Sequence, residues 1–400
     1  AYSSDEKVRK TAYESELACY EKIKDSVCFS LNSIKGQVNA ICKMRGYTSP
    51  LEMTLAQAHM KRETLDAMWK AIDTYLPVFH GYLRKKAELL GESNGLSWYN
   101  LFAPVGECET NFTAEAAKEY LVSHFSEFSK DLAQMIETAF DEEWIDFYPH
   151  EGKVGGAYCC NIQSKKQSRV LTNFDGSLSD VVTLAHELGH AYHNKNIHDH
   201  RILNLDYSMP VAETASTFNE NVIMNAAIRE ASDKDRFVLI ESQLQDLTQI
   251  ICDIYSRYLF ETKVFELNQE KFMFADELSE IMLDAQRKAY GDGLNPDTLH
   301  PYMWVCKSHY YSGNTNFYNF PYAFGGLFAR GLYAVYLKEG EVFLPKYRAL
   351  LHATTVSDVE EVAAYAGIDL TKPQFWMDVL EQVKQQVEEF TELCDAKLNI

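Results

Sequence analysis

Four hundred residues, 46% apolar and 13% aromatic, suffice for one large domain or two lobes with an extensive core, so folding needs no external staple. The formal net charge of −20, from 58 acidic against 38 basic side chains, repels phosphate backbones and anionic lipid and so disfavours nucleic acid and membrane partners. Nine cysteines, an odd number without a repeated Cys-x-x-Cys spacing, argue against a disulfide framework and suit free thiols in a reducing cytosol.

The first ten residues, AYSSDEKVRK, are polar, and no apolar run approaches the roughly 20 residues of a membrane-spanning helix, so neither secretion nor membrane insertion is signalled. A start without methionine, on an exposed lead-in to a helix, reads as a processed or truncated product. Glycine and proline are sparse, and apolar residues recur at spacings of three and four, which predicts a mainly α protein. In residues 5 to 45, Val8, Ala12, Leu17, Tyr20, Ile23 and Val27 drift round one helical face as core; 54 to 90 and 113 to 140 repeat the theme. Turn formers at Gly91–Gly106 predict two short extended pieces and a lobe boundary, separating an N-terminal helical part, 1–110, from a core, 111–400.

A second irregular zone, from about Pro149 to Asp180, predicts a small sheet of two strands, Gly155-Gly156-Ala157-Tyr158 and Arg169 to Phe174, before a turn at Asp175-Gly176. Glycines at Gly155 and Gly156 permit close backbone approach, so an extended peptide could add to this edge strand through main-chain hydrogen bonds. The adjacent Cys159 and Cys160 are expected to be small apolar core thiols.

Ser179-Asp180 then offers an N-cap, and Val181, Val182, Leu184, Ala185 and Leu188 an apolar face, so a helix is expected to begin near Asp180. It carries His186-Glu187-Leu188-Gly189-His190. Four residues advance a helix by slightly more than one turn, which puts both imidazoles on one face at a separation that one zinc ion can span. Glu187 is offset beside them, placed to take a proton from a water without ligating the ion. Simple counting gives the bare pattern by chance in roughly 3% of chains of this composition, so the helical setting and upstream strands must carry the assignment.

A catalytic zinc needs a third protein ligand and one open position. Ser208-Met209-Pro210 resembles a helix start, which puts Glu213 in the first turn and Glu220 two turns further along nearly the same face. Glu213 is therefore the expected ligand, and Glu220 the acceptor for the rear nitrogen of a ligand histidine. His193 lies too far along the axis to compete, and His198 and His200, in a polar run, are expected to be exposed. The zone from Tyr290 to Gly326 is rich in Gly, Asn, Pro and Tyr and reads as a functional loop; helix returns over 327–341 and 374–397.

HELGHAYH, then VAETAS, then HYYSGNTNFYNFPYAFG resemble the thimet oligopeptidase and oligoendopeptidase F family of zinc peptidases, closest to the bacterial oligoendopeptidase F branch. NSIKGQV, LFAPVGE and SRVLTNFDGSLSDV extend the likeness over nearly the whole chain. The resemblance implies a two-lobed helical zincin-like fold with a deep substrate channel, formed by 1–110 and 111–400 as one continuous catalytic domain. It implies one Zn2+ held by His186, His190 and Glu213, with Glu220 behind a histidine. It also implies that His309, Tyr318 and Tyr322 stabilise the tetrahedral intermediate. The expected function is hydrolysis of internal bonds in short cytoplasmic peptides, by water activated at the metal with Glu187 as general base. Gly325-Gly326 stands where many relatives carry a further tyrosine after the FG step, and an additional N-terminal helical segment usual in the family is absent. The rival readings are a carboxypeptidase or dipeptidase of similar fold, distinguished by failure to cut blocked peptides internally, and an inactive zinc-binding scaffold.

Overall fold

The computed structural model describes residues 1–106, 108 and 111–398. Helix predominates. In chain order the first helices are α1 (Glu6–Met44), α2 (Pro50–Gln57), α3 (Arg62–Leu89), α4 (Ala114–Phe128) and α5 (Lys130–Asp141). A small sheet follows, of β1 (Ile145–Asp146), β2 (Tyr158–Ile162) and β3 (Gln167–Leu171). The remaining helices are α6 (Leu178–Ile197), α7 (Met209–Ala212), α8 (Thr214–Glu230), α9 (Asp233–Thr248), α10 (Ile254–Asn268), α11 (Ala275–Tyr290), α12 (Met303–Cys306), α13 (Phe320–Glu339), α14 (Phe343–Ala353), α15 (Val359–Ala364) and α16 (Pro373–Leu398). None of the described helices is long and apolar enough to cross a membrane.

The chain divides into two compact units, one of Ala1–Glu107, Ile240–Ala323 and Leu380–Ile400, the other of Cys108–Leu239 and Phe324–Val379. The core of the first unit gathers Cys28 and Leu31 of α1, Phe260 and Val264 of α10, Leu278 and Met282 of α11, and Trp304 and Tyr310. On α1 the buried stripe is Cys28, Leu31, Lys35, Val38 and Cys42, whose spacing keeps them within a narrow arc. The earlier set is core only in part: Val27 packs against this cluster and Leu17 and Tyr20 are half-buried, while Val8, Ala12 and Ile23 are exposed, because spacings of four, five, three, three and four walk the set round the helix instead of along it. Two lysines are buried in this unit, each answered by a carboxylate: Lys35 by Glu261 at 2.7 Å and Lys86 by Glu241 at 2.6 Å.

Local caps explain where the expected helices break. Residues 113–140 form two helices because Ser129, at φ −151° and ψ 112°, ends α4 and caps α5, its Oγ accepting from Leu132 N. Residues 54–90 divide likewise: Ser49 caps α2, and His59 takes a left-handed φ of 52° before α3. The extended pieces expected in Gly91–Gly106 reduce to one bridge, Leu96 with Leu294.

In the second unit the sheet has the order β1-β3-β2, with β1 parallel and β2 antiparallel to β3. The first predicted strand is displaced: β2 starts at Tyr158, and Gly155 and Gly156 form an exposed bend before it, with Gly156 at φ 83° and the half-buried Ala157 between bend and strand. That bend is held by Asn173 Nδ2, which donates to Val154 O and Gly156 O at 3.0 and 2.9 Å. Cys159 is half-buried and Cys160 exposed, so neither is a core thiol: a five-residue edge strand with one face open to water leaves alternate residues uncovered.

Candidate metal centre

The motif helix begins two residues earlier than expected. Its N-cap is Ser177, whose Oγ accepts from Asp180 N at 3.1 Å while Asp180 Oδ2 accepts from the Ser177 and Asp175 amides at 3.1 and 3.0 Å. This reciprocal box satisfies donors that the first turn would otherwise leave open. From it α6 runs unbroken to Ile197 and presents His186 and His190 on one face, ring centroids 4.9 Å apart.

Opposite lies α8, and what lets the two helices approach is Gly189, inside the motif. A Cβ there would fall 2.6 Å from Ala215 O and Ser216 Cα, closer than any side chain tolerates. Buried Asn219 adds a cross-link, donating from Nδ2 to Ala185 O at 3.1 Å. Sequence reasoning missed both; Gly189 carried a signal, a helix breaker in mid-helix, which usually marks close packing.

Glu213 lies not within a first turn but at the joint between α7 and α8, with φ −94° and ψ 10°. The kink turns its side chain, and Ser216 Oγ fixes the carboxylate by donating to Oε2 at 2.7 Å. Glu213 Oε2 sits 3.3 Å from His186 Nε2 and 3.3 Å from His190 Nε2, and the three ligand atoms all lie within 4.8 Å of one another. Tetrahedral zinc, with ligands at about 2.0–2.2 Å, separates its ligand atoms by about 3.3–3.5 Å, so this set fits the ion. Glu220 Oε1 stands 2.5 Å from His186 Nδ1, an arrangement that keeps the Nδ1 proton there and leaves Nε2 its lone pair.

Electrostatics agree. Burial opposes charge on His186, yet its contacts with Glu213 and Glu220 hold its pKa up at about 10; those contacts with both histidines in turn pull Glu213 far below the usual carboxylate range against its own burial. Such a field favours any cation placed there. Glu187 differs: burial raises its pKa above the ordinary carboxylate value, it is 5% exposed, and its Oε2 is buried with no hydrogen-bond partner among the described residues.

The other histidines behave variously. His193 is fully buried, stacked on Tyr207 and paired through Nε2 with Thr354 Oγ1 at 2.8 Å. His198 and His200 are half-buried rather than exposed, each held by a neighbour, Asn161 and Thr355 respectively, because the chain folds back against β2 and the end of α14.

In the first unit His309, Tyr318 and Tyr322 lie in sequence along one aromatic run. His309 stacks on Tyr318 with centroids 4.7 Å apart, and the Tyr322 hydroxyl donates to that of Tyr318 at 3.3 Å. Two residues of α10, one turn apart, hold the chain on either side of Tyr318: Glu261 Oε2 accepts from Phe317 N at 3.1 Å, and Arg257 Nη1 donates to the Asn319 side-chain Oδ1 at 3.1 Å. Phe317 is left-handed, at φ 51°, a conformation costly for an aromatic residue and sustained by its surroundings. Helix α13 starts at Phe320, earlier than the predicted 327, with Tyr322 in its first turn. Thus Gly325 is helical, and a Cβ on it would lie 3.5 Å from Glu213 Cβ.

Comparison with known proteins points one way. Oligopeptidase PepF of Bacillus subtilis is 26% identical over 395 residues, covering 98% of this chain and 58% of its own length. Chromosomal oligoendopeptidase F of Lactococcus lactis subsp. cremoris is 26% identical over 402 residues, covering 100% and 66%. This chain therefore spans somewhat less than two thirds of those relatives. The crystal structure of oligoendopeptidase-F from Enterococcus faecium shares the fold, with a TM-score of 0.77 at 22% identity over 98% of this chain and 64% of that one. The sequence model of peptidase family M3 matches residues 1–382, and the chain belongs to that family.

Proposed function

We propose that this protein is a zinc-dependent endopeptidase that hydrolyses internal bonds of short oligopeptides. The observation that carries the reading is the convergence of His186 Nε2, His190 Nε2 and Glu213 Oε2, beside the unengaged, buried carboxylate oxygen of Glu187.

His186, His190 and Glu213 would hold a zinc ion, which when bound would supply Lewis acidity to a peptide carbonyl and lower the pKa of water toward about 7. Glu187 takes the proton of the attacking water and afterwards delivers it to the departing amine nitrogen. Its burial supports the first task, since a carboxylate held above its ordinary pKa is a stronger base. Glu220 keeps His186 in the ligating tautomer, and Ser216 keeps Glu213 Oε2 aimed. His309, Tyr318 and Tyr322 are assigned to the developing oxyanion, donors worth about 3 kcal/mol each when aligned; neutral His309, which burial and the nearby Arg257 and Lys307 hold below the usual histidine pKa, suits a hydrogen-bond donor.

Peptide main chain would pair with the outer edge of β2, whose partner on the other side is β3. Gly155, Gly156, Ala157 and Tyr158, at and before its start, would receive one end of the substrate. Residues 1–110 and 111–400 act together as one catalytic domain. The absence of disulfides among the described cysteines suits a cytoplasmic enzyme.

The deciding experiment is mass-spectrometric mapping of cuts in a library of peptides blocked at both ends, with and without a chelator. Internal cleavage, abolished by chelation and restored by zinc, is the expected result. Cleavage confined to unblocked termini would favour an exopeptidase, and no cleavage by the zinc-loaded protein would favour a binding scaffold.

A further inference from the structure

Beyond the motif, the second unit holds another convergence of ligand atoms. Asp199 and His200 follow directly on the C-terminal end of α6, and His352 is the penultimate residue of α14. His200 Nε2 lies 2.9 Å from His352 Nε2, and His352 Nε2 lies 3.2 Å from each oxygen of the Asp199 carboxylate. The rear nitrogen of His200 is held by Thr355 Oγ1 at 2.6 Å, the kind of partner that fixes a ligating imidazole.

One ligand atom from each of the three residues lies within 4.8 Å of the others, close enough for a single ion to bridge them. An imidazole Nε2 carries at most one hydrogen, yet here it faces three acceptors, the other ring's Nε2 and two carboxylate oxygens. One bifurcated N–H serves both carboxylate oxygens, but it leaves the two ring nitrogens facing each other at 2.9 Å with a single proton between them unless both rings are charged. A divalent cation among them is shared by all three residues; the separations of 2.9 and 3.2 Å from His352 Nε2 lie a little under the spacing of about 3.3–3.5 Å in tetrahedral zinc, so the ligands move outward by a few tenths of an ångström on binding. Two imidazoles and one carboxylate select a borderline transition ion, zinc foremost, over calcium or magnesium, which prefer oxygen.

We propose that Asp199, His200 and His352 form an accessory zinc site, distinct from the motif centre. The Asp199 side chain is 73% exposed and that of His352 45%, so water completes the coordination and the ion exchanges with solvent. Its role follows from where the ligands sit. Residues 199 and 200 leave α6 and residue 352 belongs to α14, two elements already joined by the buried contact of His193 with Thr354. The ion adds a clasp at the end of the helix that carries His186 and His190, so its binding stabilises the fold.

The test is calorimetric titration of the chelator-stripped, full-length protein with zinc chloride, beside the melting temperature with and without zinc. Wild type should take up two ions, His352→Ala one, and His186→Ala only the accessory one. Asp199→Asn, exposed and so harmless to packing, should weaken the accessory event by about tenfold or more. The zinc-dependent rise in melting temperature should shrink in both accessory variants while blocked-peptide cleavage continues. If His352→Ala and Asp199→Asn bind as much zinc as wild type with unchanged affinity, the site does not exist and the cluster only shares a proton. A loss confined to His186→Ala would leave the motif centre standing and this proposal refuted.

Discussion

The motif centre and the aromatic run around Tyr318 are built in opposite ways. At the first, regular helices do the positioning: α6 sets His186 and His190 one turn apart, and α8 brings Glu220 behind them across Gly189. At the second, His309 and Tyr318 lie outside the long helices and Tyr322 in the first turn of α13, and the loop is fixed from outside by charged groups of α10, the buried Glu261 and the half-buried Arg257, bonded to Phe317 and Asn319. Periodicity suffices to build a ligand pair, whereas a loop needs a separate rigid anchor.

Substitutions can sharpen that contrast. The largest effect is expected for Glu187→Gln, which keeps shape but removes the base: turnover should fall by about a thousandfold or more with zinc content unchanged by elemental analysis, and wild-type kcat would remove Glu187 from the chemistry. Next comes the anchor. Glu261→Gln leaves the Lys35 ammonium buried without its counter-charge, at a cost of about 3–5 kcal/mol read by chemical denaturation. In the protein that remains folded, kcat should drop while zinc affinity holds, because the loop and not the metal is disturbed. A variant with lowered zinc affinity and normal kcat would break the contrast.

Smaller effects probe the helical half. Gly189→Ala inserts a methyl against α8 backbone and should cost about 1–3 kcal/mol together with zinc affinity, since His186 and His190 shift relative to Glu213; an unchanged denaturation midpoint would show that the helices yield freely. Glu220→Gln, which retains a weaker acceptor for His186 Nδ1, should weaken zinc binding by about ten- to a hundredfold, measured by competition with a chelating dye. Equal affinity would mean that the tautomer needs no help.

The same contrast explains what could be read in advance. The motif, its helix and the position of Glu220 on α8 follow from spacing, which a helix translates into geometry. Less legible was whatever depends on a distant partner. The joint at Glu213 and the earlier start of α13 arise from packing, which overrides local propensity. Lys35, within a segment noticed only for its resemblance, acquires meaning when Glu261, more than two hundred residues away, is seen to share its burial. Ser177 was legible but passed over: Ser179 looked equivalent as a cap, and only the reciprocal bonds with Asp180 distinguish them.

The proposed reaction requires His186, His190 and Glu213 to hold one ion while Glu187 stays off it. Anomalous diffraction at the zinc edge, on crystals of the zinc-loaded protein, tests it most directly. A peak is expected about 2.0–2.2 Å from His186 Nε2, His190 Nε2 and a Glu213 oxygen, with Glu187 beyond bonding reach. A peak bonded to Glu187, or none between the two histidines, would contradict it.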